Sequence, residues 1–177
     1  VFESGATVIL GAGEIYAIPE GETGRHGQKG LRTDGRNLIE EARGRGYTVV
    51  YTREELAALD PAGVDKLLGV FAADNTYHDN AEEENEARGL PLYEPGAPTV
   101  AEMLEAALPI LERDEDGFFL VLEEEGSDNF ANYNNAAGAL EALYRADLAI
   151  ALAQEYIAAN PDTLLITAAD SNASSLS

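Results

Sequence analysis

Short apolar runs alternate along the chain with longer amphipathic ones, the pattern of strands laid between helices. Residues 6–10 (ATVIL), 47–51 (YTVVY), 67–71 (LLGVF), 118–122 (FFLVL) and 163–167 (TLLIT) are each the length of one strand. Their nearly unbroken apolar character predicts strands buried on both faces of a sheet. Asp34 is positioned to cap a helix running to about residue 43. Thr52 with Glu55, and Thr99 with Glu102, form capping boxes. The first opens a short helix carrying Leu56 and Leu59. The second opens a helix to about residue 113 that buries Met103, Leu104, Ala107, Leu108 and Leu111, with a kink expected at Pro109. The longest periodic stretch predicts a helix over 136–159, with Leu140, Leu143, Tyr144, Ile150, Ala151 and Ile157 on its buried side.

Strand, helix, strand with apolar strands implies parallel crossover units, so the expected class is α/β with a mainly parallel sheet. Glycine and polar residues mark 19–30 as a loop, and 114–117 (DEDG) as a turn. The pattern dissolves over 72–97, which is expected to be a long irregular insertion with Glu82, Glu83, Glu84 and Glu86 as a solvated charge run. The 177 residues fit one domain. Val1 and Ser177 read as cuts within a larger fold, so a single partial domain over 1–177 is expected.

Charge narrows the partners. The chain carries 33 acidic against 11 basic residues, a formal charge of −22, which disfavours nucleic acid and anionic membranes. An acid-rich, lysine-poor composition suits high salt, where screening shortens the reach of repulsion. An ordinary acidic surface is the plainer alternative. The absence of cysteine excludes disulfides, thiol nucleophiles and thiolate metal sites. Two histidines, His26 and His78, leave little room for an imidazole zinc site. No signal peptide or membrane-spanning run is read.

The candidate chemistry lies where the apolar run 118–122 empties into Glu123, Glu124, Glu125, Gly126, Ser127 and Asp128, followed by asparagines. In a parallel crossover unit the run at 163–167 would deliver Asp170 to the same sheet edge. Glu123, Asp128 and Asp170 would then form a hard oxygen set suited to magnesium or calcium. Exposed loop acids, with Asp128 and Asn135 capping turns, are an equally weighted reading. Gly11-Ala12-Gly13 after the first run suggests a dinucleotide turn, but Tyr16 stands where a third glycine belongs, and a plain tight turn is favoured.

The ordered succession of VILGAG, GLRTDGRNLIEEARGRGYTVVYTREEL, KLLGVFA, PTVAEMLEAAL, GFFLVLEEEGSDNFAN and NPDTLLITAADSNASS resembles the alkaline phosphatase family over nearly the whole chain. The resemblance implies a three-layer α/β/α sandwich and two-metal phosphoryl transfer from phosphate monoesters, with a serine nucleophile and a phosphate-clamping arginine. In the family's V-E-G-x-x-I-D stretch the magnesium-binding glutamate matches Glu123 and a zinc-binding aspartate matches Asp128. A zinc-binding histidine is replaced by Asn132. In the T-A-D-H motif the aspartate matches Asp170, and the histidine is replaced by Ser171. The carboxylates persist where the imidazoles are lost. That implies an oxygen-rich site for magnesium or calcium, with Asn132 and Ser171 as weaker groups, whereas family membership by itself implies zinc.

The family's nucleophile and arginine precede anything matching Val1, so this chain alone is expected to be inactive. The resemblance further implies a periplasmic or extracellular setting and allows a homodimer. A pseudoenzyme or interaction domain that kept the fold is the main rival.

Overall fold

A computed structural model describes residues 4–169. Within it the chain divides into two compact units, the first built from residues up to 76 with 94–98 and 106–119, the second from 77–93, 99–105 and 120 onward.

The first unit holds the sheet. β1 (Val8–Gly11) and β2 (Tyr47–Val50) both pair in parallel with β3 (Lys66–Val70), giving the order β1-β3-β2. Ile9 and Val49 lie opposite Leu68 from either side. β3 is therefore the central strand, and all but its first residue are buried, as a continuous apolar run requires. Between these strands lie α1 (Glu14–Ala17), α2 (Leu38–Gly44) and α3 (Arg53–Ala57). Ile39 and Ala42 of α2 pack with Ile18, Tyr47, Leu68 and Val70 in one core cluster.

The helix starts follow capping chemistry, with one correction. α2 is capped by Asn37, whose side chain accepts from the amides of Ile39 and Glu40. Asp34, the expected cap, instead pairs with Arg32 and accepts from the Arg36 amide. Asn37 wins because its extended backbone places the amide oxygen directly over the first turn. At α3 the Thr52 hydroxyl accepts from Glu55, while the Glu55 carboxylate reaches the Tyr51 amide at 2.6 Å, one residue before the expected reciprocal partner. α5 (Val100–Leu111) begins with a full box: Thr99 N–H donates to Glu102 at 2.8 Å and Glu102 N–H to Thr99 at 3.2 Å. Pro109 falls in its last turn, and the ladder closes one step on through Glu112 N–H to the Leu108 carbonyl.

The second unit is helical in its described residues. The stretch 72–97, expected to be irregular, holds α4 (Glu82–Arg88), a helix made from the acidic run and supported by an Arg88–Glu84 pair. Gly89 stops it in the left-handed region at φ 63°. The asparagine-rich stretch forms α6 (Gly126–Asn132), which was not expected, and α7 (Ala136–Ala159) follows with the expected bounds.

Two expected strands are corrected. Residues 118–122 and 163–167 take no sheet structure, and Phe119 is 90% exposed. The buried side of α7 is corrected too. Gly138, Ala139, Ala142 and Ala149 face inward, while Leu140, Leu143 and Tyr144 are exposed. Phe130 explains the choice: its ring lies against Gly138, where any side chain would overlap it.

Two glycine substitutions separate close packing from chain entropy. A Cβ at buried Gly30 would overlap the carbonyl oxygens of Ile18 and Pro19. Gly30→Ala should therefore cost about 1–3 kcal/mol. Gly44 ends α2 with open space around it, so Gly44→Ala should gain about 0.5 kcal/mol. Urea midpoints of the two variants should move in opposite directions.

Candidate functional site

The carboxyl edge of the sheet is closed by the protein's own backbone. After β1 the chain turns through Gly13 at φ 88° into α1. The first α1 amides, of Glu14 and Ile15, donate to the carbonyls of Ala72 and Ala73 beyond β3. The Glu14 side chain is 2% exposed and accepts from the amides of Arg25 and His26 at 2.7 and 2.8 Å. His26 Nε2 meets the Val70 carbonyl at 2.7 Å. The first α1 amides and the buried Glu14 carboxylate are thus engaged within the protein. The chain's path through Gly13 agrees with the plain tight turn favoured for Gly11 to Gly13.

In the second unit the acidic run is sorted residue by residue. Glu123 is exposed. Glu124 is half-buried and accepts from the Tyr93 hydroxyl at 2.9 Å and the Gly126 amide at 3.2 Å. Asp128 lies half-buried in the first turn of α6, and Asn132 is exposed at its last position. Four residues apart, Asp128 and Asn132 share one face of that helix. Asp170 and Ser171 lie outside the described residues.

An aromatic cluster holds this arrangement. Phe130 is fully buried between Tyr77 and Tyr93, with ring centroids 5.8 and 5.6 Å away. Tyr77 and Tyr93 face each other across a β-bridge, and Asn129 donates to the Tyr77 hydroxyl at 2.5 Å. Arg145 of α7 stacks 3.6 Å from the Tyr93 ring centroid while pairing with Glu141 at 2.8 Å. Asn135, fully buried, caps α7 through Gly138 N–H and donates to the Asn80 carbonyl. The expected capping role of Asn135 therefore holds. The other anchors were not foreseen.

Electrostatics follow the packing. Burial raises Glu124 above the usual carboxyl range, opposed by the Tyr93 hydrogen bond, the Gly126 amide and Arg145. Burial, then the neighbouring carboxylates Glu125 and Glu124 respectively, hold the Tyr77 and Tyr93 hydroxyls well above the ordinary phenol range. Both tyrosines are neutral donors at any ordinary pH.

Metal-binding capacity is incomplete here. Among the described residues no three histidine, aspartate or glutamate side chains gather into a group that could hold an ion. Both histidines meet backbone carbonyls, His26 that of Val70 and His78 that of Pro91 at 2.9 Å. Glu123 and Asp128 offer carboxylate oxygens only. A zinc site built on imidazole does not fit these residues.

Three parallel strands with helices between them define an α/β protein. The family is specific: the sequence pattern of alkaline phosphatase matches residues 2–177, and the chain belongs to the alkaline phosphatase family. It is 33% identical over 168 residues to a membrane-bound alkaline phosphatase of Bombyx mori, covering 91% of this chain and 28% of that protein. It is also 33% identical to an alkaline phosphatase of Escherichia fergusonii, covering 93% of this chain and 36% of that one. The crystal structure of Thermus thermophilus alkaline phosphatase superposes with a TM-score of 0.70 at 32% identity, covering 90% of this chain and 29% of that chain. The fold is thus of the alkaline phosphatase α/β type, and the chain spans roughly a third of the length of these relatives. No helix among the described residues is long and apolar enough to cross a membrane.

Glu124→Gln tests how the acidic run is sorted. Glutamine keeps an oxygen for Tyr93 and Gly126 but cannot ionise. Glu124 has a folded-state pKa above its unfolded value. Its stabilising contribution is therefore complete below the unfolded value and is lost as pH rises through the folded one. The wild type should gain stability relative to Glu124→Gln as pH is lowered from 7 toward 4. Thermal melts across that range check the direction, and parallel curves would contradict it.

Proposed function

We propose that this chain forms part of a metal-dependent phosphomonoester hydrolase, to which it contributes carboxylate ligands. Family membership over residues 2–177 carries the reading. The sorting of the acidic run supports its detail: Tyr93 and Gly126 occupy Glu124, whereas exposed Glu123 and half-buried Asp128 have no such anchor. Asp170 would supply a third carboxylate, with Asn132 and Ser171 as weaker oxygen donors.

When bound, a divalent cation there would polarise a phosphoryl oxygen and neutralise developing charge. Magnesium or calcium suits an all-oxygen donor set, and zinc is disfavoured because the proposed set includes no imidazole. The chain's own residues hold and orient those ligands. No serine among them occurs in the aspartate-serine-alanine context of the family nucleophile, so the chain by itself should not turn over a phosphate monoester. A pseudoenzyme that kept the acids for folding is the alternative, and the anchoring of Glu124 by Tyr93 is the observation on its side.

Titration calorimetry with magnesium, calcium and zinc on the protein and on Asp128→Ala discriminates these readings. Weak magnesium or calcium binding, reduced about tenfold or more in Asp128→Ala, is expected; tenfold corresponds to about 1.4 kcal/mol. Equal affinity in both proteins would remove Asp128 as a ligand. p-Nitrophenyl phosphate should not be hydrolysed above background by the chain alone.

A further inference from the structure

One contact in the second unit closes around a glycine that is needed for its small size. Gly126 opens α6 and is buried. A Cβ at this position would come within 2.5 Å of the Tyr93 hydroxyl oxygen, 2.9 Å of Glu124 Oε1 and 3.2 Å of the Ala142 Cβ. Its φ is not in the left-handed region, so the requirement is for space and not for backbone freedom. With that space open, one carboxylate oxygen accepts twice. Glu124 Oε1 takes the Tyr93 hydroxyl at 2.9 Å and the Gly126 N–H at 3.2 Å. Tyr93 is braced in turn by the Phe130 ring and by the Arg145 guanidinium, which is itself tied to Glu141.

The place of this lock in the chain gives it a use. Glu124 directly follows Glu123, and Gly126 precedes Asp128 by two residues, so the lock fixes the segment that joins those two carboxylates. Glu124 is engaged, while Glu123 stays exposed and Asp128 half-buried. Ordering a loose segment costs conformational entropy, and a ligand that must supply that ordering binds more weakly. In the V-E-G-x-x-I-D stretch matched by Glu123 and Asp128, the position of Glu124 is a glycine, which has no carboxylate to offer a tyrosine. The lock is therefore a feature of this chain's own sequence and not of the motif.

We propose that Tyr93 is a positioning residue for Glu123 and Asp128: acting through Glu124 and the Gly126 amide, it presets the acidic turn before a divalent cation arrives. This rests on the reading of Glu123 and Asp128 as cation ligands.

The test uses the whole chain, with magnesium and calcium as separate titrants and amide exchange in metal-free buffer. Tyr93→Phe removes one hydroxyl and keeps the ring that Phe130 and Arg145 pack against. It should speed exchange of the Gly126 amide about fivefold or more without metal, and weaken cation binding about fivefold or more. Glu124→Gln keeps an oxygen for both donors and should stay within about threefold of the wild type on both readouts. Gly30→Ala, expected to destabilise the first unit, should lower the melting temperature and move neither readout, which separates lost stability from lost position. Should Tyr93→Phe fail to fold, Glu124→Ala removes the acceptor instead and should show the same two losses. Unchanged cation affinity in Tyr93→Phe, whatever its exchange, would overturn the inference and leave the ligand reading to stand on Asp128→Ala. Binding weakened as strongly by Glu124→Gln as by Asp128→Ala would make Glu124 a ligand and overturn it too. A wild type that binds neither cation would overturn the ligand reading itself, and the inference with it.

Discussion

The second unit depends on one packing event, the burial of Phe130 between Tyr77 and Tyr93. Phe130 belongs to α6, the tyrosines to the stretch around α4, and the ring rests on Gly138 of α7. A single aromatic trio therefore joins three helices that share no sheet. Edge-to-face and tilted ring contacts add about 0.5–1.5 kcal/mol per pair beyond the area they bury. The larger effect is geometric: each tyrosine hydroxyl is delivered to a polar group on or beside α6, Tyr93 to Glu124 and Tyr77 to Asn129.

What could be read from the sequence divides along the range of the interactions involved. Helices satisfy their own backbone, and their starts are marked by nearby side chains, so the box at Thr99 and Glu102 and the bounds of α7 were legible. Strands need partners. β3 and the run 163–167 have much the same composition, yet β3 lies between β1 and β2 whereas 163–167 has no neighbour among the described residues. Apolar character said that both should be buried. It could not say which of them would find a sheet.

The inverted face of α7 has a related cause. A periodicity rule assigns the largest apolar side chains inward. Here close approach to Phe130 selects Gly138, Ala139 and Ala142, because only small residues admit the ring. Leu140, Leu143 and Tyr144 are left outside. The amphipathic pattern was real, and packing on Phe130 chose the side with the small residues.

The candidate site shows the same limit at the level of single residues. Three consecutive glutamates offer no sequence basis for choosing among them, since composition and charge are identical at each. The choice is made by a tyrosine 31 positions away that takes Glu124. Anchoring that one carboxylate makes it a structural group and separates it from Glu123, whose side chain remains exposed. Asn132 is the reverse case, since its oxygen and amide chemistry is fixed by residue type at the position where the family resemblance places a histidine. The structure adds where the two histidines are held, His26 at the Val70 carbonyl and His78 at the Pro91 carbonyl. Donor chemistry, fixed by residue type, is thus legible along the chain where the engagement of each single carboxylate is not.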